Sequence, residues 1–148
     1  MDRFRGSAPA SIDEKGRLKI PNVFRRQIEE AFGNDLFVTS IHGKEALVYP
    51  LSVWQTIEER LVAAPAVHRS KMKFLERVNY FGQQEKFDGQ GRTLLPAILR
   101  ETSGLSGDVV VTGNIDQLVV TDRGATRDRM ATENFTVEDY DELSKLLL

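Results

Sequence analysis

The sequence contains no cysteine, only two histidines and a single tryptophan among its 148 residues. The lack of cysteine excludes disulfides, thiolate metal sites and cysteine nucleophiles, and it fits a reducing cytoplasm. The histidines, His42 and His68, lack the spacing of metal ligands, so we expect no metal site. No apolar run approaches membrane-spanning length, and the N-terminus does not have the hydrophobic segment of a secretory signal.

Positive charge is not in excess, since 20 basic residues stand against 22 acidic ones and the net charge is −2. It is concentrated near the N-terminus. Residues 1–26 hold seven basic and three acidic side chains, whereas residues 130–148 hold one basic and five acidic ones. Affinity for a polyanion depends on the charge at the contact face. The N-terminal segment is therefore compatible with nucleic-acid binding, and equally with a solvated basic surface.

One segment of the sequence occurs twice. Residues 13–26 and residues 88–101 are identical at five of fourteen positions, where chance would give roughly one. The identical pairs are Asp13/Asp88, Gly16/Gly91, Arg17/Arg92, Pro21/Pro96 and Arg25/Arg100. Residues 35–39 and 108–112 are a second similar pair. The two halves of the chain therefore look like tandem copies of one small unit.

Each copy predicts the same order of elements. An extended segment leads to a turn with Asp and Gly, a short strand follows, and proline then opens a helix. Two strands complete each copy, at 36–41 and 47–49 and at 109–111 and 118–121. Helices are predicted at 50–62, at 66–80 and around 128–133, before an amphipathic tail at 137–148. Units this small bury little surface alone, so we expect the copies to pack as a pseudo-symmetric pair.

The duplicated Asp-x-x-Gly-Arg signature, followed by apolar positions, proline and a helix, resembles the MraZ family of the wider AbrB/SpoVT swapped-hairpin group. Phe4-Arg5-Gly6 and the segment 47–54 add to the resemblance. It implies an α+β fold in which tandem swapped-hairpin AbrB/SpoVT-like β-barrel modules form an intramolecular pseudo-dimer with additional helices. The expected boundaries are 7–54 for the first module, 55–82 for a helical connector, 83–126 for the second module and 127–148 for a C-terminal helical tail.

The same resemblance implies a function. Family members are bacterial DNA-binding transcriptional regulators, usually repressors, that bind repeated promoter elements upstream of the division and cell-wall gene cluster. They are cytoplasmic and nucleoid-associated, and they form ring-shaped homo-oligomers on double-stranded DNA. We therefore expect no enzymatic activity, no cofactor and no small-molecule substrate. The alternative is an antitoxin-like interaction module of the same fold group, although such proteins usually carry one signature and a disordered tail.

The family implicates the signature arginine in DNA contact, which corresponds to Arg17 and Arg92 here. A guanidinium can hold a phosphate or a guanine edge with two hydrogen bonds. Lys15 and Lys19 suit phosphates as point charges. For Arg17 the alternative is a structural salt bridge to Asp13 across the turn.

The second signature is less basic than the first. Gln90, Leu94 and Glu101 stand where the first copy has lysine, lysine and arginine. The part that Arg92 plays in DNA contact is therefore left open.

Other residues have simpler predicted roles. Asp13 and Asp88, with Gly16 and Gly91, are expected to form the turns, because an aspartate that opens a turn usually bonds its own backbone. Arg3 and Arg5 are predicted either to form an arm that reaches the DNA backbone or minor groove, or to belong to a frayed terminus. Trp54 is predicted as a core or interface anchor, and with the helices between the copies it is candidate material for the oligomer interface.

Overall fold

The structure, a computed structural model, describes residues 3–148. Its strands are β1 (Ser7–Ile12), β2 (Arg17–Lys19), β3 (Asp35–Thr39), β4 (Ala46–Pro50), β5 (Gln83–Lys86), β6 (Arg92–Leu94), β7 (Gly107–Asn114) and β8 (Gln117–Asp122). Its helices are α1 (Asn22–Phe32), α2 (Leu51–Ala63), α3 (Arg69–Phe81), α4 (Ala97–Ser103), α5 (Arg123–Thr132) and α6 (Val137–Leu147).

Helix α5 starts earlier than the sequence predicted. The prediction placed a helix around residues 128–133, whereas α5 begins at Arg123. The reason is the side chain of Asp122, which accepts a hydrogen bond from the Ala125 N–H at 2.8 Å and so caps the helix. The helix therefore follows β8 directly, as α2 follows β4.

The eight strands form one antiparallel sheet in the order β5-β3-β4-β8-β7-β1-β2-β6. The two strands at the ends of this order, β5 and β6, are consecutive in the chain. A tight turn joins them, with the Asp88 N–H donating to the Arg92 carbonyl at 2.9 Å. The sheet is therefore nearly closed into a barrel.

The pairing shows how the two copies share this barrel. The first strand of each copy pairs with the third strand of the other, β1 with β7 and β5 with β3. The second strands, β2 and β6, pair with each other, and so do the fourth strands, β4 and β8. An approximate two-fold axis therefore passes through the pair Leu18–Thr93 and the pair Leu47–Val119. This arrangement confirms the predicted α+β, swapped-hairpin fold.

Both copies contribute to the core inside the barrel. Residues at matching positions are buried together, namely Ile20 with Leu95 and Phe24 with Leu99. Burial of each such side chain stabilises the fold by about 1.5–3 kcal/mol. Neither copy can complete this core without the other, because each barrel strand has neighbours from both.

Trp54 lies at the centre of a second cluster, outside the barrel and under α2 and α3. Its ring stacks on Phe37 at 4.7 Å between centroids, and the rings of Tyr49 and Phe74 lie 4.9 and 6.3 Å away. Only 2% of Trp54 is exposed. Of the two roles predicted for Trp54, the core anchor is confirmed and the oligomer-interface role is wrong, because the residue is already buried within a single chain. No helix within residues 3–148 is long and apolar enough to cross a membrane.

The predicted boundaries follow the elements only in part. The first range, 7–54, holds β1 to β4 with α1, and the range 83–126 holds β5 to β8 with α4. Helices α2 and α5 each begin inside these ranges and continue beyond them. The division into modules, connector and tail stays a prediction.

Candidate nucleic-acid interface

The first signature forms a tight turn organised by the carboxylate of Asp13. Its Oδ1 accepts hydrogen bonds from the backbone N–H of Lys15 at 3.0 Å and of Arg17 at 2.9 Å. Its Oδ2 accepts from Arg17 Nε at 2.7 Å. Gly16 lies between them at φ 82°, a conformation that favours glycine. The turn therefore fixes both the backbone and the guanidinium of Arg17.

The second signature repeats this geometry. Asp88 Oδ1 accepts from the N–H of Gln90 at 2.8 Å and of Arg92 at 2.9 Å, and its Oδ2 accepts from Arg92 Nε at 2.8 Å. Gly91 has φ 76°. The predicted turn roles of Asp13 and Asp88 thus agree with the hydrogen bonds of both turns.

These hydrogen bonds keep the two aspartates ionised. The backbone N–H of Arg17 is the main cause that lowers the pKa of Asp13 below its ordinary value. The backbone N–H of Arg92 is the main cause that lowers the pKa of Asp88 to about 2. Partial burial opposes both shifts, and the guanidinium contacts reinforce them. Carboxylates held this way are acceptors for arginine and poor proton donors near neutral pH.

The two signature arginines lie on one face of the sheet. In the β2–β6 ladder Arg17 is opposite Leu94, and Lys19 is opposite Arg92. Residues that face each other or alternate along a strand share a face. The intervening Leu18 is buried in the barrel, so the four side chains point outward.

A carboxylate links the two signatures across this face. Asp13 Oδ2 lies 2.7 Å from Arg17 Nε and 4.0 Å from Arg92 Nη1. The side chains of Arg17 and Arg92 keep 34% and 24% of their surface exposed. The salt bridge that the sequence allowed for Arg17 is therefore present, but it engages Nε and leaves the guanidinium partly accessible.

Two further arginines support the turns from the opposite copy. The Arg100 side chain occupies the position where a Cβ on Gly16 would stand. Arg25 does the same at Gly91, where a Cβ would lie 2.6 Å from Arg25 Cδ. No role was predicted for Arg25 and Arg100 from the sequence. The sequence nevertheless indicated that they matter, because Arg25 and Arg100 form one of the five identical pairs between the copies.

The lysines of the first signature are open to solvent. Lys15 and Lys19 are both exposed, and neither forms an ion pair with any residue from 3 to 148. Lys19 also lines a groove of about 440 Å³ together with Asn22, Asp108 and Arg123. Arg123, at the start of α5, is a cation of this groove that was not predicted from the sequence.

Arg3 and Arg5 lie elsewhere. The Arg3 carbonyl accepts a hydrogen bond from Gln27 Nε2 at 2.8 Å, and Phe4, which is buried, pairs with Ile115. This site lies beyond the opposite end of β1 from the turns, and β1 alone separates the two ends by roughly 17 Å. The structure thus does not bring Arg3 and Arg5 together with Arg17, and the neighbouring Phe4 is not frayed.

The face as a whole offers hydrogen-bond donors and positive charge. Terminal guanidinium N–H groups and lysine ammonium groups suit phosphate oxygens and the acceptor edge of guanine. Within residues 3–148 no group of His, Asp and Glu side chains is arranged to hold a metal ion.

Comparisons with known proteins agree with this architecture. A family model described as "MraZ protein, putative antitoxin-like" matches residues 4–77, half of the chain. A protein of Acidobacterium capsulatum named transcriptional regulator MraZ is 46% identical over 96% of this chain and 97% of its own length. Proteins with the same name from Koribacter versatilis and Hydrogenovibrio crunogenus are 43% and 34% identical, over 97% and 74% of this chain and 98% and 73% of their own lengths. Because the family model matches half of the chain, and the first two relatives match nearly all of it, including the segments of both signatures, the protein belongs to the MraZ family.

Proposed function

We propose that this protein is a sequence-specific DNA-binding transcriptional regulator that reads DNA with the outward face of β2 and β6. One observation carries the proposal: Arg17 and Arg92, each fixed by the aspartate of its own turn, lie on the same outward face. The names of the relatives, transcriptional regulators, support the regulatory role.

The aspartates make the arginines better readers of DNA. A free arginine loses side-chain entropy when it binds, whereas a guanidinium already held through Nε loses less. Asp13 and Asp88 accept from Nε, which leaves terminal N–H groups to approach a phosphate or guanine O6 and N7. Exposed Lys15 and Lys19 add phosphate contacts that position the protein without reading sequence.

The two halves of this face are not equivalent. Arg17 faces the neutral Leu94, whereas Arg92 faces Lys19. In the second signature, Gln90 also takes the place of Lys15. Phosphate contacts are therefore concentrated on the half that carries the first signature. We infer that the DNA element is asymmetric. It therefore binds in a single orientation relative to the approximate two-fold axis of the protein.

Such a face is small, so tight binding requires several copies. One chain contacts few phosphates, and linked chains on repeated elements raise the effective concentration of each next contact. We propose a ring-shaped homo-oligomer that binds repeated promoter elements of the division and cell-wall gene cluster and represses it. In this proposal the protein acts in the cytoplasm at the nucleoid, without a cofactor or an enzymatic activity. The resemblance in the duplicated signature supports these points.

The alternative function is an antitoxin-like module that binds another protein. It is favoured by the family description and by helix α6, which is acidic and carries exposed apolar side chains. A toxin partner would co-purify with the chain in about equal amounts when both genes are expressed together. Mutation of Arg17 would leave that complex unchanged.

The test of the main proposal is footprinting of the purified protein on its own upstream region. We expect protection of short elements repeated in one orientation at a regular spacing. Uniform coating of any DNA at the same protein concentration would contradict the proposal.

A further inference from the structure

The two copies differ in what covers the outer surface of their third and fourth strands. In the first copy α3 folds back over β3, β4 and α2, and its Phe74 and Val78 complete the cluster around Trp54. In the second copy the corresponding surface is formed by β7, β8 and α5. The helix that follows α5 in the sequence, as α3 follows α2, is α6.

Helix α6 does not cover that surface. Every residue of α6 is exposed except Ser144, which is partly buried. Tyr140, Leu143 and Leu147 form an apolar stripe at helical spacing and are 64%, 42% and 76% exposed. Isolated helices shorter than roughly 12–15 residues are marginal in water. An 11-residue helix with an uncovered apolar stripe therefore needs a partner surface.

The second copy has a groove where α3 would lie in the first. It measures about 1020 Å³. Its floor contains Val119, Thr121 and Thr126, which the approximate two-fold axis relates to Leu47, Tyr49 and Trp54. Threonines in place of two aromatic residues leave room that a helix with large side chains can fill.

The charges of the groove and of α6 are complementary. The groove carries the cations Lys44 and Arg129, and neither forms an ion pair with any residue from 3 to 148. Its acids are engaged locally, since Glu45 accepts from the His42 N–H at 3.0 Å and Asp122 caps α5. Helix α6 is acidic, with Lys145 as its single basic residue. Its four acidic residues are Glu138, Asp139, Asp141 and Glu142.

We propose that the α6 helix of one chain docks into this groove on a second copy of the chain and completes there the layer that α3 completes in the first copy. The apolar stripe of α6 fills the floor, and its acidic flank meets Lys44 and Arg129. The contact is heterologous, because α6 of one chain meets the groove of the next. Repetition of such a contact gives a ring when the rotation closes. This contact rests on the proposed function, because it forms the junction between the subunits of the proposed ring.

The first experiment measures the mass of the full chain in solution by sedimentation velocity at micromolar concentration. The double variant Tyr140→Ser, Leu143→Ser removes two of the three apolar residues of the stripe, and Lys44→Glu, Arg129→Glu reverses the charge of the groove. We expect wild type to assemble and both variants to be monomeric with unchanged circular dichroism. The control Val62→Ser, Val67→Ser removes two apolar side chains that are more exposed, 81% and 89%, at another site, and it should assemble like wild type.

The second experiment mixes the two monomeric variants. One retains an intact groove and the other an intact α6, so each pair can form a single junction. We expect a dimer and nothing larger. A mixture that stays monomeric would overturn the proposal, as would a wild-type monomer or a stripe variant that assembles normally. A wild-type monomer would mean that the groove takes its own helix or another partner.

A charge exchange tests the orientation of the junction. Adding Glu138→Lys and Asp141→Lys to the groove variant places cations on α6 opposite the new glutamates. We expect assembly to return, and its absence would contradict the charge pairing. DNA binding to one isolated element separates this inference from the proposed function, because the monomeric variants should bind that element as wild type does. If neither wild type nor the variants bind DNA while assembly is as predicted, only the proposed function is overturned.

Discussion

The side chain of Arg100, in the second copy, fills the space against Gly16, in the signature turn of the first. Arg25 and Gly91 repeat the contact with the copies exchanged. The backbone follows the same exchange, since the Leu95 N–H donates to the Gly16 carbonyl at 2.9 Å. Each signature turn is thus supported from the opposite copy, and the two signatures form one unit.

The first prediction concerns Gly16→Ala. The residue has φ 82°, where a side chain costs about 1–2 kcal/mol, and its new Cβ would collide with Arg100 at a further cost of about 1–3 kcal/mol. Urea unfolding should show the sum. Gly104→Ala is the matched control, with φ 71° and ψ 10° in the left-handed region and open space around the added Cβ, and should lose only the first amount.

A double mutant isolates the contact. Arg100→Ala in the Gly16→Ala background should recover most of the collision energy, and the pair should be non-additive. Equal losses for Gly16→Ala and Gly104→Ala, or strict additivity with Arg100→Ala, would show that the arginine does not constrain the turn.

Acid should destabilise the signature turns. Asp88 has its pKa lowered from 3.8 to about 2 in the folded state. A carboxylate with a lowered folded-state pKa contributes stability that is complete above its unfolded value and is lost as pH falls through the folded value. The free energy of unfolding of the wild type should therefore fall between pH 4 and pH 2, as these two values require.

The variant Asp88→Asn provides the comparison for this acid effect. It lacks the titrating group, so the difference in stability between wild type and variant should shrink as the pH falls from 4 to 2. Parallel curves across that window would show that Asp88 does not contribute to the pH dependence.

Much of this arrangement was predictable from the sequence, and the limits have physical causes. The duplicated signature predicted the turns, the prolines predicted the starts of α1 and α4, and the need for both small copies to share a core predicted the pseudo-dimer. The strand exchange came only through the family resemblance, because local pattern does not specify partners distant in sequence. The position of Arg3 depends on a long-range bond to Gln27, and the burial of Trp54 depends on the return of α3.

Salt dependence should separate the lysines from the arginines. Lys19→Ala should weaken binding to all DNA sequences alike and reduce the salt slope by about 0.9. Leu94→Lys places a lysine at the matching position of the second copy, opposite Arg17, and should raise the slope by a similar amount. Filter binding at several salt concentrations measures both. A change in preference between sequences without a change in slope would contradict the assignment of Lys19 to phosphate.

Arg92→Ala should have a smaller effect than Arg17→Ala. Its neighbours Gln90 and Leu94 are neutral, and only 24% of its side chain is exposed, against 34% for Arg17. Titration of one element with both variants gives the comparison. An equal or larger loss for Arg92→Ala would show that the second signature reads DNA as strongly as the first.

Titration of the Arg17→Ala variant against one DNA element shows whether Arg17 reads DNA. Loss of its partly exposed ion pair with Asp13 should cost the fold only about 0–1 kcal/mol. Specific binding should fall by about 1–3 kcal/mol per element, roughly 5- to 150-fold. Arg69→Ala is the control. It removes the same charge from an exposed position at the start of α3 and should bind nearly as wild type does. If a folded Arg17→Ala protein binds the element with wild-type affinity, Arg17 does not read DNA.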